Sequence, residues 1–399
     1  MADQLKATVA SISRFHSFEL ARQLQDRNAL AAIYTGLAKR FVRRYGVAED
    51  LLHSFPWVQV PLEIAQRLDL VSTAMTRRIG HVAHLALDRH VARNLPSCHV
   101  YMALAGIGLE SGKAAQARGI AYVCDRSSAH IVVQNRLLTE AYAALDLPYT
   151  PIGSYSVDRN LAEYDQADMV VVPSQFAHDS FVERGFAADR LCRIPFGVNL
   201  DSFSRQMPRD AEFRVLFVGA PGVQKGLHFL LQAFARAALP AARLVIVGHA
   251  EPETDILLKR FPVANIDFVG PVPHDEVARQ MSRASVLVVP SIQEGLAVVQ
   301  AEALACECPV ISSTHAGGAD LFDDGEEGFI VPVGDIEALA DRMTRLYDDP
   351  ALLDAMAEKA GHRARQIGGW NSYGDSICDL FLRLAQARGH DVHLAAVAG

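Results

Sequence analysis

Two carboxylates stand eight residues apart in Pro290-Ser-Ile-Gln-Glu-Gly-Leu-Ala-Val-Val-Gln-Ala-Glu302, just after an apolar, β-branched run. The run reads as a buried strand ending at Pro290, Glu294-Gly295 as a turn, and the next residues as a helix from about Leu296. The first N–H groups of a helix have no partner within it and attract anions, so a pyrophosphate is the ligand this turn would take. Gly295 would let it approach the backbone closely, with Glu294 level with whatever hangs from the phosphates. Glu302 falls about six residues further in, roughly 9 Å along the axis, on a helix that is otherwise almost entirely Leu, Ala and Val. A carboxylate there needs hydrogen-bond donors or carries a large desolvation cost; ribose hydroxyls of a nucleotide would serve. A Glu paired with an Arg or a backbone amide is the plainer alternative for each.

Lys225 belongs to the same constellation. It follows the apolar run 214–218 and Gly219, and it precedes a helical pattern. An ammonium ~4 Å from a phosphate gains on the order of 4 kcal/mol in a partly wet cleft. The gain grows as a leaving diphosphate gathers charge, so it favours the transition state. The alternative is an exposed loop lysine.

These side chains need strand ends to hold them, and the chain supplies a succession of them. Apolar runs alternate with helical patterns, which predicts an α/β protein with parallel sheets. In the first half, strands are expected near 7–12, 29–34, 99–104, 120–124 and 169–172. Helices are expected at about 17–27, 61–70, 111–118, 131–145 and 176–185. A break at Pro195-Phe-Gly-Val-Asn-Leu-Asp-Ser-Phe203 reads as a linker. Strands then recur at 214–218, 244–247, 266–269, 286–289 and 310–312, with a last helix at about 375–388. Two doubly wound, Rossmann-like domains follow, 1–204 and 205–374, with 375–399 crossing back onto the first and ligands at the strand carboxyl ends.

The 399 residues suit two such domains, and six scattered cysteines read as buried reduced thiols. The opening residues lack a basic start and apolar stretch, and no apolar run would span a bilayer, which predicts a cytoplasmic protein. Residues 1–100 carry 13 Lys and Arg against 8 Asp and Glu, in a chain whose formal net charge is −8. Lys39, Arg40, Arg43 and Arg44 flank a stripe of Leu37, Phe41 and Tyr45. That segment reads as a solvated helix packing its stripe on the domain, or as a dock for an anionic membrane at ~1 kcal/mol per basic residue. An acidic total without aromatic-basic interleaving speaks against nucleic acid. No Asp-x-Asp occurs, so the expectation is metal-independent chemistry without a cofactor, Lys225 and the helix terminus holding the diphosphate. His81, His84 and Asp88 share a helix face with ligand-like spacing, although an amphipathic helix bearing histidines explains them as well. Gly106-Ile-Gly-Leu-Glu-Ser-Gly112 misses the Gly-x-Gly-x-x-Gly spacing by one residue and reads as a turn into a helix.

At these residues the chain resembles the retaining, nucleotide-sugar-dependent glycosyltransferases of family 4, whose fold is called GT-B. The matching pieces are Glu163-Tyr-Asp-Gln-Ala-Asp168, Val172-Pro-Ser174, Ile194-Pro-Phe-Gly-Val-Asn199, Val218-Gly219 through Lys225-Gly226, and Val289-Pro-Ser-Ile-Gln-Glu-Gly-Leu. Glu302-Ala-Leu-Ala, Pro309-Val-Ile, Gly317-Gly318, Gly328-Phe329 and Val331-Pro-Val-Gly-Asp335 complete the set. The resemblance implies that Glu294 lies by the donor sugar, Glu302 holds ribose and Lys225 binds the phosphates. It places the diphosphate on the backbone from Leu296 through Ala297 and Val298 to Val299, and the base near Gly248 and Gly270–Val272. The partners implied are a nucleotide sugar, UDP-, GDP- or ADP-linked, and a glycan, lipid-linked or small-molecule acceptor, as in cell-surface glycan or lipopolysaccharide assembly.

The chain departs from the family pattern at three places. Ala220 stands where an Arg is common, Glu307 where a Gly is usual, and Ser13-Arg-Phe-His-Ser17 replaces a Gly-rich loop. Arg14 or His16 would take over its contacts or face the acceptor. Strand 120–124 ends at Cys124-Asp-Arg-Ser-Ser-Ala-His130, where the family often carries a catalytic-site His or acid, so His130 and Asp125 are candidates. Ser127 or Ser128 capping the next helix is the plainer role. Two other classes share this frame: a nucleotide-sugar epimerase, and a nucleotide-sugar-binding partner protein that has lost catalysis.

Overall fold

The computed structural model describes residues 3–14, 16–67 and 73–394. In chain order its first part runs β1 (Asp3–Gln4), β2 (Ala7–Ser11), α1 (Ser17–Asp26), β3 (Leu30–Thr35), α2 (Lys39–Val42) and β4 (Leu52–Ser54). Then come α3 (Gln59–Arg67), α4 (Thr73–Asn94), β5 (Val100–Leu104), α5 (Leu109–Gln116) and β6 (Ala121–Asp125). The part closes with α6 (Ile131–Ala144), α7 (Ser154–Gln166), β7 (Met169–Val172), α8 (Gln175–Val182) and β8 (Leu191–Arg193). Seven of these strands form one parallel sheet in the order β4-β3-β2-β5-β6-β7-β8. Every residue of β2, β5 and β6 is buried, as expected of strands covered by helices on both faces.

The second part runs β9 (Phe213–Val218), α9 (Leu227–Ala237), β10 (Ala242–Val247), α10 (Thr254–Arg260), β11 (Ile266–Gly270) and α11 (His274–Arg283). It continues through β12 (Val286–Val289), α12 (Val299–Ala305), β13 (Val310–Ser313), β14 (Gly328–Val331), α13 (Ile336–Asp348) and α14 (Pro350–Ile367). Its parallel sheet has the order β11-β10-β9-β12-β13-β14. In both sheets the chain winds outward from the first strand, returns, and winds the other way. The order therefore reverses between β2 and β5 and again between β9 and β12, and ligands of doubly wound sheets bind at such switch points.

Helix α15 (Gly369–Ala387) then packs on α1, and β15 (Val392–His393) pairs in parallel with β1. This helix starts before the expected 375 and contains Trp370 and Tyr373, because the left-handed Gly368 (φ 76°) ends α14 and turns the chain directly into it. Arg27 anchors it through Asp375 at 2.6 and 3.0 Å. The expected helix at 61–70 appears as α3, its last three positions lying outside the described residues. The apolar pattern did not mark β4, β8 or β14, which are three or four residues long, nor helix α7.

The domains touch beyond their connectors. Leu137, Ala141 and Tyr142 of α6, with Leu145 just after it, pack on the core of the second domain. Tyr142 Oη donates to Glu253 at 2.7 Å, and the same carboxylate accepts the Val223 N–H at 3.1 Å, in the loop that carries Lys225.

Candidate functional site

At the second switch point, β9 delivers the loop 219–226 and β12 the turn 290–295, side by side. Gly226 joins them: its φ is +71°, and a Cβ there would sit 2.0 Å from the Pro290 carbonyl oxygen, so no larger residue fits. Lys225 and Glu294 form an ion pair across this junction, their side chains 29% and 13% exposed. Ser291 Oγ donates to the same carboxylate at 3.3 Å. A diphosphate arriving here would compete with Glu294 for the ammonium.

The helix behind the turn is shorter than the apolar spacing predicts. It begins at Val299 rather than near Leu296. The reason lies in the amides: Glu294 N donates to His315 O at 3.3 Å and Ala297 N to Ala316 O at 3.1 Å, holding 294–297 extended against the loop after β13. The Ala297 amide is thus spent on protein, a correction to the expected cradle that leaves Leu296, Val298 and Val299 as its remaining backbone. Glu302 sits in the first turn of α12 instead of deep within it. Its carboxylate has no hydrogen bond or ion pair with a described residue, and burial alone raises its pKa to about 7. A carboxyl so placed gains from any hydroxyl that donates to it.

Gly295 has a different use from the one expected. A Cβ on it would lie 1.9 Å from the Ser127 carbonyl oxygen of the first domain, so its clearance admits the opposite wall of the cleft. Ser174 Oγ donates to Gly295 O at 2.5 Å, and Gln293 Nε2 to Ser128 Oγ at 2.5 Å. Gly219, Gly248 and Gly270 end three adjacent strands at one level, Gly219 N donating to Val247 O at 2.9 Å and Gly248 N to Gly270 O at 3.0 Å. Val272 follows, half-buried.

Across the cleft, a cavity of 370 Å³ opens at the carboxyl ends of the first sheet, lined in part by Ser13, Gln59, His84, Asp125, Arg126 and Ser127. Asp125 is bonded to His16, Oδ2 to Nε2 at 2.6 Å, with both side chains nearly enclosed. The His16 ring stacks on Phe196 of the linker with centroids 4.2 Å apart. Arg14 is exposed, its guanidinium 5.9 Å from the Phe41 ring.

His130 does not join this group. Its Nδ1 caps α6 by accepting from Val132 N at 3.3 Å, and its ring meets Phe181 edge-on in the core. Burial, helped by Arg126 and Arg184, lowers its pKa to about 4, so it stays neutral and able to accept. It supplants Ser127 and Ser128 as the cap. His84 faces the cavity instead, its pKa lowered to about 4 by burial and by Arg159 and His81. Asp88, its neighbour in spacing, accepts from Glu110 N and Ser111 N at 2.8 Å and pairs with Arg159. The Gly106 loop leads into α5, and its amides at Gly106 and Gly108 donate to Glu163 at 2.5 and 3.0 Å. A larger cavity, 760 Å³, opens at the opposite end of the second sheet beside Phe213 and Arg243, away from these residues.

The family described as glycosyl transferases group 1 matches residues 201–364. A D-inositol 3-phosphate glycosyltransferase of Thermomonospora curvata is 33% identical over 189 residues, covering 44% of this chain and 43% of that protein. A glycogen synthase of Mycobacterium tuberculosis is 26% identical over 225 residues, 54% of each. The match therefore spans about half the length of these curated relatives. Over the whole fold, the structure of Anabaena Alr3699/HepE in complex with UDP and glucose is similar, with a TM-score of 0.70 at 16% identity, covering 95% of this chain and 100% of that one.

Proposed function

We propose that this chain, whose residues 201–364 match the glycosyl transferases group 1 family and whose fold is GT-B, moves a sugar, with retention of configuration, from a nucleotide sugar to a hydroxyl acceptor. The observation that carries this reading is the cluster at the second switch point: Lys225 paired with Glu294, and Glu302 unpaired in the adjoining helical turn. Lys225 neutralises the leaving diphosphate, whose charge the backbone at Leu296, Val298 and Val299 also offsets. Glu302 accepts from ribose hydroxyls, and the base lies along the Gly248 and Gly270–Val272 shelf. Glu294, freed from Lys225 by the phosphates, turns to the sugar hydroxyls.

Retention needs the acceptor to approach on the face from which the diphosphate leaves. A phosphate oxygen then takes the acceptor proton as the new glycosidic bond forms, and no paired-carboxylate nucleophile is required. Asp125, held by His16, orients the acceptor hydroxyl from the 370 Å³ cavity. A uridine donor is the first to test, because the similar Anabaena structure holds UDP. Donor turnover is expected to proceed without a divalent metal. The test is a panel of nucleotide sugars scored by thermal shift and then by transfer. A native-state ligand at 100 times its Kd stabilises by about 2.7 kcal/mol. No shift with any nucleotide sugar would refute the reading, binding without turnover would point to a partner protein, and acceptor-independent change of the sugar to an epimerase.

A further inference from the structure

Two helices of the first domain present apolar stripes to solvent, where a helix on a globular surface carries polar ones. Trp57, in the turn that leads into α3, and Val60 and Ile64 on that helix recur at i, i+3 and i+7, and Trp57 and Ile64 are 76% and 51% exposed. On α4, Met75 (52%) and Val82 (57%) share a stripe with the exposed Arg78 and Arg89. Positions 75, 78, 82 and 89 fall within about 60° of one another around the helix. The helices meet at Leu62 and Gly80, each two residues from Ile64 or Val82, so the stripes point away from that contact. Tyr155, 43% exposed, packs its ring, tilted by 36°, on that of His81. Scattered exposed apolar residues are ordinary, but a run concentrated on one face marks an interaction surface.

The face borders the acceptor cavity. Its helices contribute Gln59 and His84 to the lining. Ser13 lines the cavity too, followed by Arg14, whose guanidinium and that of Arg40 lie 5.9 and 4.7 Å from the Phe41 ring. Ion pairs occupy Arg43 (with Glu49) and Arg159 (with Asp88), but among the described residues none forms at Arg14, Arg40, Arg78 or Arg89. Uncompensated cations interleaved with apolar side chains, and a tryptophan at the edge, fit an interface of anionic headgroups over hydrocarbon. A second copy of the chain fits less well, since a two-fold contact on this face would bring four arginines, Arg78 and Arg89 of each copy, into one interface.

We propose that the outer faces of α3 and α4, with the Arg14–Arg40 rim, dock on an anionic lipid bilayer and feed the cavity a lipid-linked acceptor. The acceptor half rests on the transferase reading; the docking half does not. The test uses the full chain with vesicles of phosphatidylcholine alone or mixed with phosphatidylglycerol. Wild type should sediment with the mixed vesicles and not with phosphatidylcholine alone, its Trp57 emission moving to the blue. Trp57→Phe, which keeps Trp370, should lose that spectral change. Ile64→Asp/Val82→Asp and, independently, Arg78→Glu/Arg89→Glu should each weaken vesicle binding at least about tenfold. All of them should keep the thermal shift with nucleotide. Absence of wild-type binding, wild-type-strength binding by both double variants, or a wild-type dimer that Ile64→Asp/Val82→Asp dissolves would overturn the proposal. Loss of the nucleotide shift in wild type itself would instead defeat the transferase reading and leave the vesicle result standing on its own.

Discussion

The donor wall takes Lys225 and Glu294 from two neighbouring turns of one sheet, and each turn is a strand end running into a helix. The acceptor wall joins His16 to Asp125 across 109 positions of sequence, and draws Gln59 and His84 from helices that follow neither strand directly. Chemistry written into a strand–turn–helix is carried by a dozen contiguous residues. Chemistry assembled by packing depends on partners that no local spacing announces. The two walls should accordingly fail in different ways.

The largest loss is expected at Lys225. Lys225→Ala removes the cation that meets the leaving diphosphate, and kcat should fall roughly 10²–10³-fold, as for other single donors to a developing anion. Both transfer and any slow hydrolysis of the donor should fall together. Asp125→Asn and His16→Ala should separate those two activities: transfer drops on the order of tenfold or more, while donor hydrolysis and nucleotide affinity hold. Parallel losses in both assays would erase the distinction between the walls.

Glu302 offers a pH test. Its folded pKa, about 7, lies above the ordinary carboxylate value, so the native chain keeps a proton that the unfolded chain gives up. Stability therefore falls as pH rises through that window, and is flat with respect to this group above about 7. Glu302→Gln should be more stable than wild type at pH 8 and gain little at pH 5, while its nucleotide affinity drops about tenfold. Melting curves at the two pH values check the first part. The smallest effect belongs to His130. His130→Asn keeps a capping group, loses ring packing in the core, and should lower Tm by a few degrees. Its kcat should be little changed; a large fall would restore His130 to the site.

Lys225, Glu294 and Glu302 were legible because Gly219, Pro290 and the alternating runs locate the turns that carry them. The fold class was legible for the same reason, since doubly wound sheets repeat one local unit. The start of α12 was not, because amides at Glu294 and Ala297 bond to His315 and Ala316 of another loop. Neither His130, a candidate for the site, nor His84, read as part of a histidine-bearing helix face, has the role its position suggested. One is a helix cap turned into the core by Phe181 and Tyr164, the other is brought to the cavity by α4. The bond between Gln293 and Ser128, 165 residues apart, had no sequence signal.

The central claim is that Lys225 and Glu302 flank one nucleotide-diphosphate site. Titration calorimetry of UDP, GDP and ADP into wild type, Lys225→Ala and Glu302→Ala tests it most directly. One nucleotide should bind wild type, and each variant should bind it at least about tenfold more weakly with Tm close to that of wild type. Equal affinity in all three proteins would contradict the account.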